Sequence, residues 1–245
     1  MFEIQCLRAG ASRRRADAVS LHASAPCGEP QSHGVTTRRP FTLYGRSGSG
    51  SLAVQVALEE IGAPFECVWI GRDPAEVARY KEVNPTGRVP ALALPDGTVM
   101  FESAAILVHL ALLNPQAAIA PQPGTTRHAT FLQWMMFLSA NVYEAVLRIY
   151  YSDRYSSRGE ADSAVIREQG LADYRTHVGL IARNLQPYVL GAEYSIADVY
   201  LYMLVSWYPD RDELAMRLPA LGAHWDLVRA RPAVAKVEAD HAAHE

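Results

Sequence analysis

"LYGRSGSGSLAVQVALEEIGAPFE", residues 43–66, runs from an apolar, strand-like start through a bend made only of Arg, Gly and Ser into a helix-like segment. Leu52, Val56 and Ile61 fall on one helical face, Glu59 and Glu60 on the face toward solvent, and Gly62 stops the helix. Extended sequence resumes at Pro64 and alternates to Ile70, as a half-buried strand does. Strand, helix, strand at this spacing is the opening of a parallel crossover.

The punctuation stays regular downstream. Asp73-Pro74-Ala75-Glu76 supplies an N-cap, a first-turn Pro and a reciprocal acid, so a short helix starts there and must stop before Asn84-Pro85. Residues 91–94 and 98–101 flank the turn Pro95-Asp96-Gly97, and a helix follows over 103–113. The order strand, helix, strand, helix, strand, strand, helix predicts a small α/β domain over 41–113. Residues 114–125, with Pro115, Pro121, Pro123 and Gly124, read as a stiff linker. Beyond them strand signals vanish, and long helices are expected over 126–151, 160–184 and 195–207, with shorter ones over 220–229 and 233–241. The second domain, 126–245, is all helical.

Composition bounds the rest. With 245 residues, 49% hydrophobic, and a net charge of −3, the chain can bury a large core and makes no electrostatic case for nucleic acid. No apolar run approaches the ~20 residues of a membrane span. Cys6, Cys27 and Cys67 form no CxxC pair, and the eight histidines show no paired ligand spacing, so neither a disulfide framework nor a metal is expected. Cys67 reads as a buried hydrophobe within the second strand. Residues 1–40 carry Arg8, Arg13, Arg14, Arg15, Arg38 and Arg39 against Glu3, Asp17 and Glu29, with no periodicity, and are expected to be a disordered extension. A transit peptide, a plain tail and an early start codon all fit that leader.

Three stretches can carry chemistry. Gly45 to Ser51 imitates the phosphate loop G-x-x-x-x-G-K-[ST] until position 51, where Ser replaces the Lys, and a dinucleotide fingerprint fails because position 53 is Ala. The bend still opens a helix, so its N–H groups, the helix dipole and the Ser47, Ser49 or Ser51 hydroxyl suit one compact anion such as a thiolate. In "NPTGRVPAL", residues 84–92, a cis Val89–Pro90 bond would turn the Val89 N–H and C=O outward to pair with an extended peptide. In "ESAAILVHL", residues 102–110, Ser103 as N-cap leaves backbone donors for a carboxylate while Glu102 accepts from an amino group. "SIAD", residues 195–198, is a structural capping box.

These motifs, with "DGTVMFESAAILVHL" and "YSIADVYLY" in the same order, resemble the cytosolic glutathione transferases, bacterial type, over about residues 41–240. The resemblance implies a thioredoxin-like N-terminal domain followed by an all-helical C-terminal domain, in a cytoplasmic homodimer that uses glutathione as co-substrate and needs no metal, nucleic acid or membrane. It implies that glutathione attacks a small hydrophobic electrophile as a thiolate. Carried over, Val89 binds the cysteinyl backbone, Pro90 is the cis proline, Glu102 and Ser103 hold the γ-glutamyl end, and Arg88 assists. Aligned on "ALEE", the Cys-using bacterial class places its Cys at Gly50 and the Ser-using classes their Ser at Gly48, so Ser49, with Ser47 and Ser51, is the expected source of a hydroxyl. Tyr143 and Tyr150 are expected to line the electrophile pocket, and Tyr143 also matches a polar position near the sulfur in some bacterial members. A non-catalytic binding or regulatory protein of the same fold is the alternative, as is a glutathione-dependent isomerase, although the bend lacks the Ser-Ser-Cys of that subgroup.

Overall fold

The computed structural model describes residues 39–244. The expected extension over 1–40, with Cys6 and Cys27, falls outside them but for positions 39 and 40.

Strand β1 (Phe41–Gly45) is followed by α1 (Ser51–Glu60), β2 (Phe65–Trp69), α2 (Pro74–Tyr80), β3 (Ala91–Ala93), β4 (Val99–Phe101) and α3 (Ser103–Leu113). The sheet has the order β2-β1-β3-β4, with β1 parallel to β2 and antiparallel to β3, and β3 antiparallel to β4. Leu43 opposite Leu92 puts two fully buried side chains at the sheet centre, under the apolar faces of α1 and α3. Asp73 caps α2 by accepting from the Ala75 and Glu76 N–H groups, each at 3.0 Å. Glu76 turns away from the cap and accepts from the Gly71 N–H at 2.8 Å. Cys67 is half-buried, and burial, reinforced by Asp240 and Glu59, pushes its thiol up to about 11.

The rest is helical. The single helix expected over 126–151 is three segments, α4 (Thr126–Phe137), a π-helical turn (Leu138–Tyr143) and α5 (Glu144–Tyr150). Then come α6 (Ser163–Ala182), α7 (Ile196–Ser206), α8 (Arg211–Arg217), α9 (Pro219–Arg229) and α10 (Pro232–Ala242). Every residue of α7 from Ile196 to Val205 is buried, the pattern of a helix running through the core. Asp198 is fully buried with it and accepts from the Val189 N–H at 2.7 Å and the Ser195 N–H at 2.8 Å, while His224 Nε2 lies 3.0 Å away. No helix among the described residues is long and apolar enough to cross a membrane.

One expectation about α1 is corrected. Glu59 and Glu60 do not face solvent: Arg231 donates to both Glu60 carboxylate oxygens at 2.8 and 2.9 Å, and Lys236 to Glu59 at 2.6 Å. Gln55 donates to Asp240 at 3.0 Å. The polar face of α1 is therefore the surface on which α10 docks. The signal lay in the charges, opposite in sign and far apart in sequence, which helical periodicity cannot pair. The linker is held as well, because the Ile119 carbonyl accepts from the Ile196 N–H at 2.7 Å.

Candidate functional site

A cleft of about 320 Å³ opens between the sheet domain and the π-helical turn. On the sheet side its floor is the loop 84–90. Asn84, 1% exposed, folds this loop: its Oδ1 accepts from the Thr86 N–H and hydroxyl at 3.1 and 3.0 Å, and its Nδ2 donates to the Arg88 carbonyl at 2.6 Å. Tyr80 donates to the same carbonyl at 2.9 Å. With Arg88 fixed, the Val89 N–H and C=O have no partner among the described residues, and the Val89–Pro90 bond is cis. The Arg88 side chain is exposed along the cleft. Asn84 and Tyr80 were missed in the sequence, where Asn84-Pro85 served only as a helix stop. Asn followed two residues later by Thr is the available signal for such a turn.

The start of α3 differs from the sequence expectation by one position. Glu102, not Ser103, is the N-cap, and its φ of 72° and ψ of 103° lie where a non-glycine residue is strained. Ser103 is the first helical residue, and its Oγ sits 3.0 Å from the Tyr200 hydroxyl of α7. No side chain caps α3, so its first N–H groups remain as donors beside the exposed Glu102.

The bend does not bring its serines to this cleft. Ser49 and Ser51 both donate to the Arg46 carbonyl, at 2.7 and 3.0 Å, and Ser51 accepts from the Arg46 N–H at 3.2 Å. Short hydroxyls next to a tight bend are captured by its own backbone. Ser47 lines a second cavity of about 600 Å³ together with Trp69, Arg72 and His244. What lies against the cleft residues Pro90, Ser103 and Tyr143 is the bare Cα of Gly50. A Cβ placed there would lie 3.2 Å from Pro90 Cδ, 3.2 Å from the Tyr143 hydroxyl and 3.7 Å from Ser103 Oγ.

Tyr143 closes the π-helical turn, and its ring meets Trp207 edge-on at 5.4 Å. Burial, then Tyr200, Tyr151 and Glu102, push its phenol up, with Arg88 opposing, so the hydroxyl keeps its proton and is a donor. Tyr150 does not join it. That residue is half exposed, donates to the Trp207 carbonyl at 2.6 Å and does not line the cleft. Phe101, Leu147 and Tyr155 supply the apolar wall instead. Phe101 closes β4 and Tyr155 lies in a 3₁₀ turn, where helical spacing gave no reason to look.

Residues 51–113 match the family model of the glutathione S-transferase N-terminal domain, and residues 141–241 that of the C-terminal domain. The chain belongs to the glutathione S-transferase family. Glutathione S-transferase GstA of Escherichia coli O157:H7 is 28% identical over 169 residues, 67% of this chain and 81% of GstA. The glutathione S-transferase-like protein OpS6 of Beauveria bassiana is 27% identical over 221 residues, 85% of this chain and 99% of its own length. A crystal structure of a glutathione transferase homologue from Sulfitobacter, with bound glutathione, superposes with a TM-score of 0.74 at 28% identity, covering 82% of this chain and 98% of that one. In this member of the glutathione S-transferase family, position 50 carries no side chain, Pro90 and the Tyr143 hydroxyl close in on it, and the hydroxyl nearest it comes from the helical domain.

Proposed function

We propose that the cleft binds glutathione, holds its sulfur as a thiolate above Gly50 and adds it to a small hydrophobic electrophile. The observation that carries the reading is the convergence on Gly50 of Pro90, the Tyr143 hydroxyl and the α3 N-terminus. The unpaired Val89 N–H and C=O suit the cysteinyl backbone, as one strand suits another. The free donors of α3 with Ser103 suit the γ-glutamyl carboxylate, Glu102 suits its ammonium group, and Arg88 assists along the rim. Phe101, Leu147, Tyr143 and Tyr155 form the wall for the electrophile.

The chemistry needed is modest. A thiol near pKa ~8.5 must drop by about two units to be mostly ionised at neutral pH, roughly 2.7 kcal/mol. A charge-assisted hydrogen bond supplies about 1.5–3 kcal/mol and a helix N-terminus about 0.3–2. Tyr143 with the α1 N-terminus meets that need, and Ser47, Ser49 and Ser51 serve to shape the bend. The thiolate sulfur forms the new bond to carbon, and the electrophile either loses its leaving group or takes a proton from solvent. The proposal includes the division into a glutathione domain over 41–113 and a helical domain over 126–245, and a cytoplasmic, homodimeric, detoxifying setting.

Calorimetry with glutathione, followed by a spectroscopic titration of the bound thiol, tests the reading. Binding with a depressed thiol pKa is expected, and no binding leaves only the scaffold. The missing side chain at Gly50 favours one second reading, a binding protein without catalysis, which predicts tight binding with an unshifted thiol.

A further inference from the structure

We propose that Tyr200 is a positioning residue for the γ-glutamyl carboxylate: from the middle of α7 its hydroxyl reaches Ser103 Oγ, 3.0 Å away, and fixes the direction in which Ser103 donates. The inference rests on the reading of the cleft as a glutathione site.

Tyr200 is 1% exposed and Ser103 is 7% exposed, yet both line the cleft. This tyrosine sits on a helix of the other domain, its ring tilted against Tyr143 at 6.4 Å, with its hydroxyl aimed at the first residue of α3. Proton counting shows what the hydroxyl does. A serine hydroxyl has one proton, and a carboxylate only accepts. When Ser103 serves a carboxylate its proton is committed there, so the bond to Tyr200 must run from the phenol to the serine oxygen. The phenol is the more acidic of the two hydroxyls and the better donor. Its burial pushes its pKa up, with Ser103 and Ser139 acting against that rise, so the proton stays on the phenol at neutral pH. The relay runs from Tyr200 to Ser103 to carboxylate, the first donor polarising the second. Remove the phenol oxygen and Ser103 loses the donor that holds it toward the ligand.

The test is a cycle of Tyr200→Phe, Ser103→Ala and the double variant, each titrated with glutathione and with cysteinylglycine, which lacks the γ-glutamyl group. Each single variant should weaken glutathione roughly three- to tenfold, with KM rising in proportion and kcat nearly unchanged. The double variant should be no weaker than Ser103→Ala, and cysteinylglycine affinity should not move. A Tyr200→Phe variant with unchanged glutathione affinity overturns the proposal. So does one that weakens both peptides alike, or one whose effect multiplies with that of Ser103→Ala, since each marks a merely structural role. Should Tyr200→Phe not fold, Tyr200→Met, which also lacks the hydroxyl, carries the test, and an unmoved glutathione affinity then overturns the proposal. Wild-type protein that binds neither peptide removes the glutathione reading itself, whereas wild-type binding with a loss only in Ser103→Ala removes the Tyr200 role alone.

Discussion

Replacing Tyr143 by Phe removes one oxygen and leaves the ring against Trp207, so the change isolates the hydroxyl that lies 3.2 Å from a Cβ on Gly50. If that hydroxyl donates to the glutathione thiolate, its loss forfeits a charge-assisted bond of about 1.5–3 kcal/mol, or roughly one to two units on the bound thiol. The sign follows from the charged form being the one stabilised: the thiol pKa is depressed in the complex and rises in the variant. A thiol held near ~6.5 would move to roughly 7.5–8.5, so at pH 6.5 the ionised fraction falls from about half to between roughly one and ten per cent. The rate at that pH should drop about five- to fiftyfold, and most of the loss should be recovered above pH ~9, where both proteins carry ionised sulfur. The assay is kcat/KM against pH with an aryl chloride, beside an ultraviolet titration of the bound thiolate. Superimposable profiles for wild type and Tyr143→Phe would refute the donor role and leave the α1 N-terminus as the sole source of the shift.

Three further outcomes can be measured. Gly50→Ala adds a methyl 3.2 Å from both Pro90 Cδ and the Tyr143 hydroxyl, tighter than ordinary contact, on a backbone (φ −58°, ψ −10°) that alanine accepts; by displacing that hydroxyl it should raise KM for glutathione roughly tenfold or more and lower the melting temperature by a few degrees. Glu60→Ala strips the bidentate partner from Arg231, with Glu60's side chain only 13% exposed, and should cost about 1–3 kcal/mol, read as a melting temperature lower by roughly 2–10 °C. Burial, with His244 adding to it and Asp240 opposing, lowers His241 to about 4, so the unfolded chain binds the extra proton. Its contribution is whole above pH ~6.5 and is lost as pH falls from there toward 4, at most about 3 kcal/mol; His241→Leu should flatten the melting temperature between those limits, and an unchanged slope would reject the assignment.

The sheet domain was legible because each of its signals is local. Gly62, Asp73-Pro74, Asn84-Pro85 and Pro95-Asp96-Gly97 punctuate elements whose periods are unambiguous. Val89, Pro90, Glu102 and Ser103 were legible for the same reason, as residues beside a strand end or a helix start. What failed depends on which partner a side chain takes, near or far, and periodicity does not show that. Glu59 and Glu60 looked solvated because Lys236 and Arg231 lie about 170 residues away. Ser49 and Ser51 looked like free donors because a sequence does not show that one carbonyl, that of Arg46, takes both. Tyr150 looked equivalent to Tyr143 because seven residues of helix return to one face, but it stands two turns, roughly 10 Å, further along at the end of α5, where the Trp207 carbonyl takes its hydroxyl.

The site divides its labour between the two parts of the fold, and this has a consequence for stability. The sheet domain supplies main-chain groups and helix ends: Val89, the α3 N-terminus and the bare Gly50. The hydroxyls assigned to orient the tripeptide and its sulfur, Tyr200 and Tyr143, come from the helical domain. A chain with a Cys at position 50 or a Ser at position 48 would carry a sulfur partner within the sheet domain alone. Here the partner arrives only when the helices dock, through α10 on α1 and α7 behind α3. Loosening that contact should therefore lower activity before it unfolds the protein, because a displacement of about 1 Å at a catalytic donor costs far more rate than stability. Glu60→Ala distinguishes the two: its kcat/KM should fall at temperatures well below its melting transition, while a variant of equal thermal cost within a single domain should keep its activity until it melts.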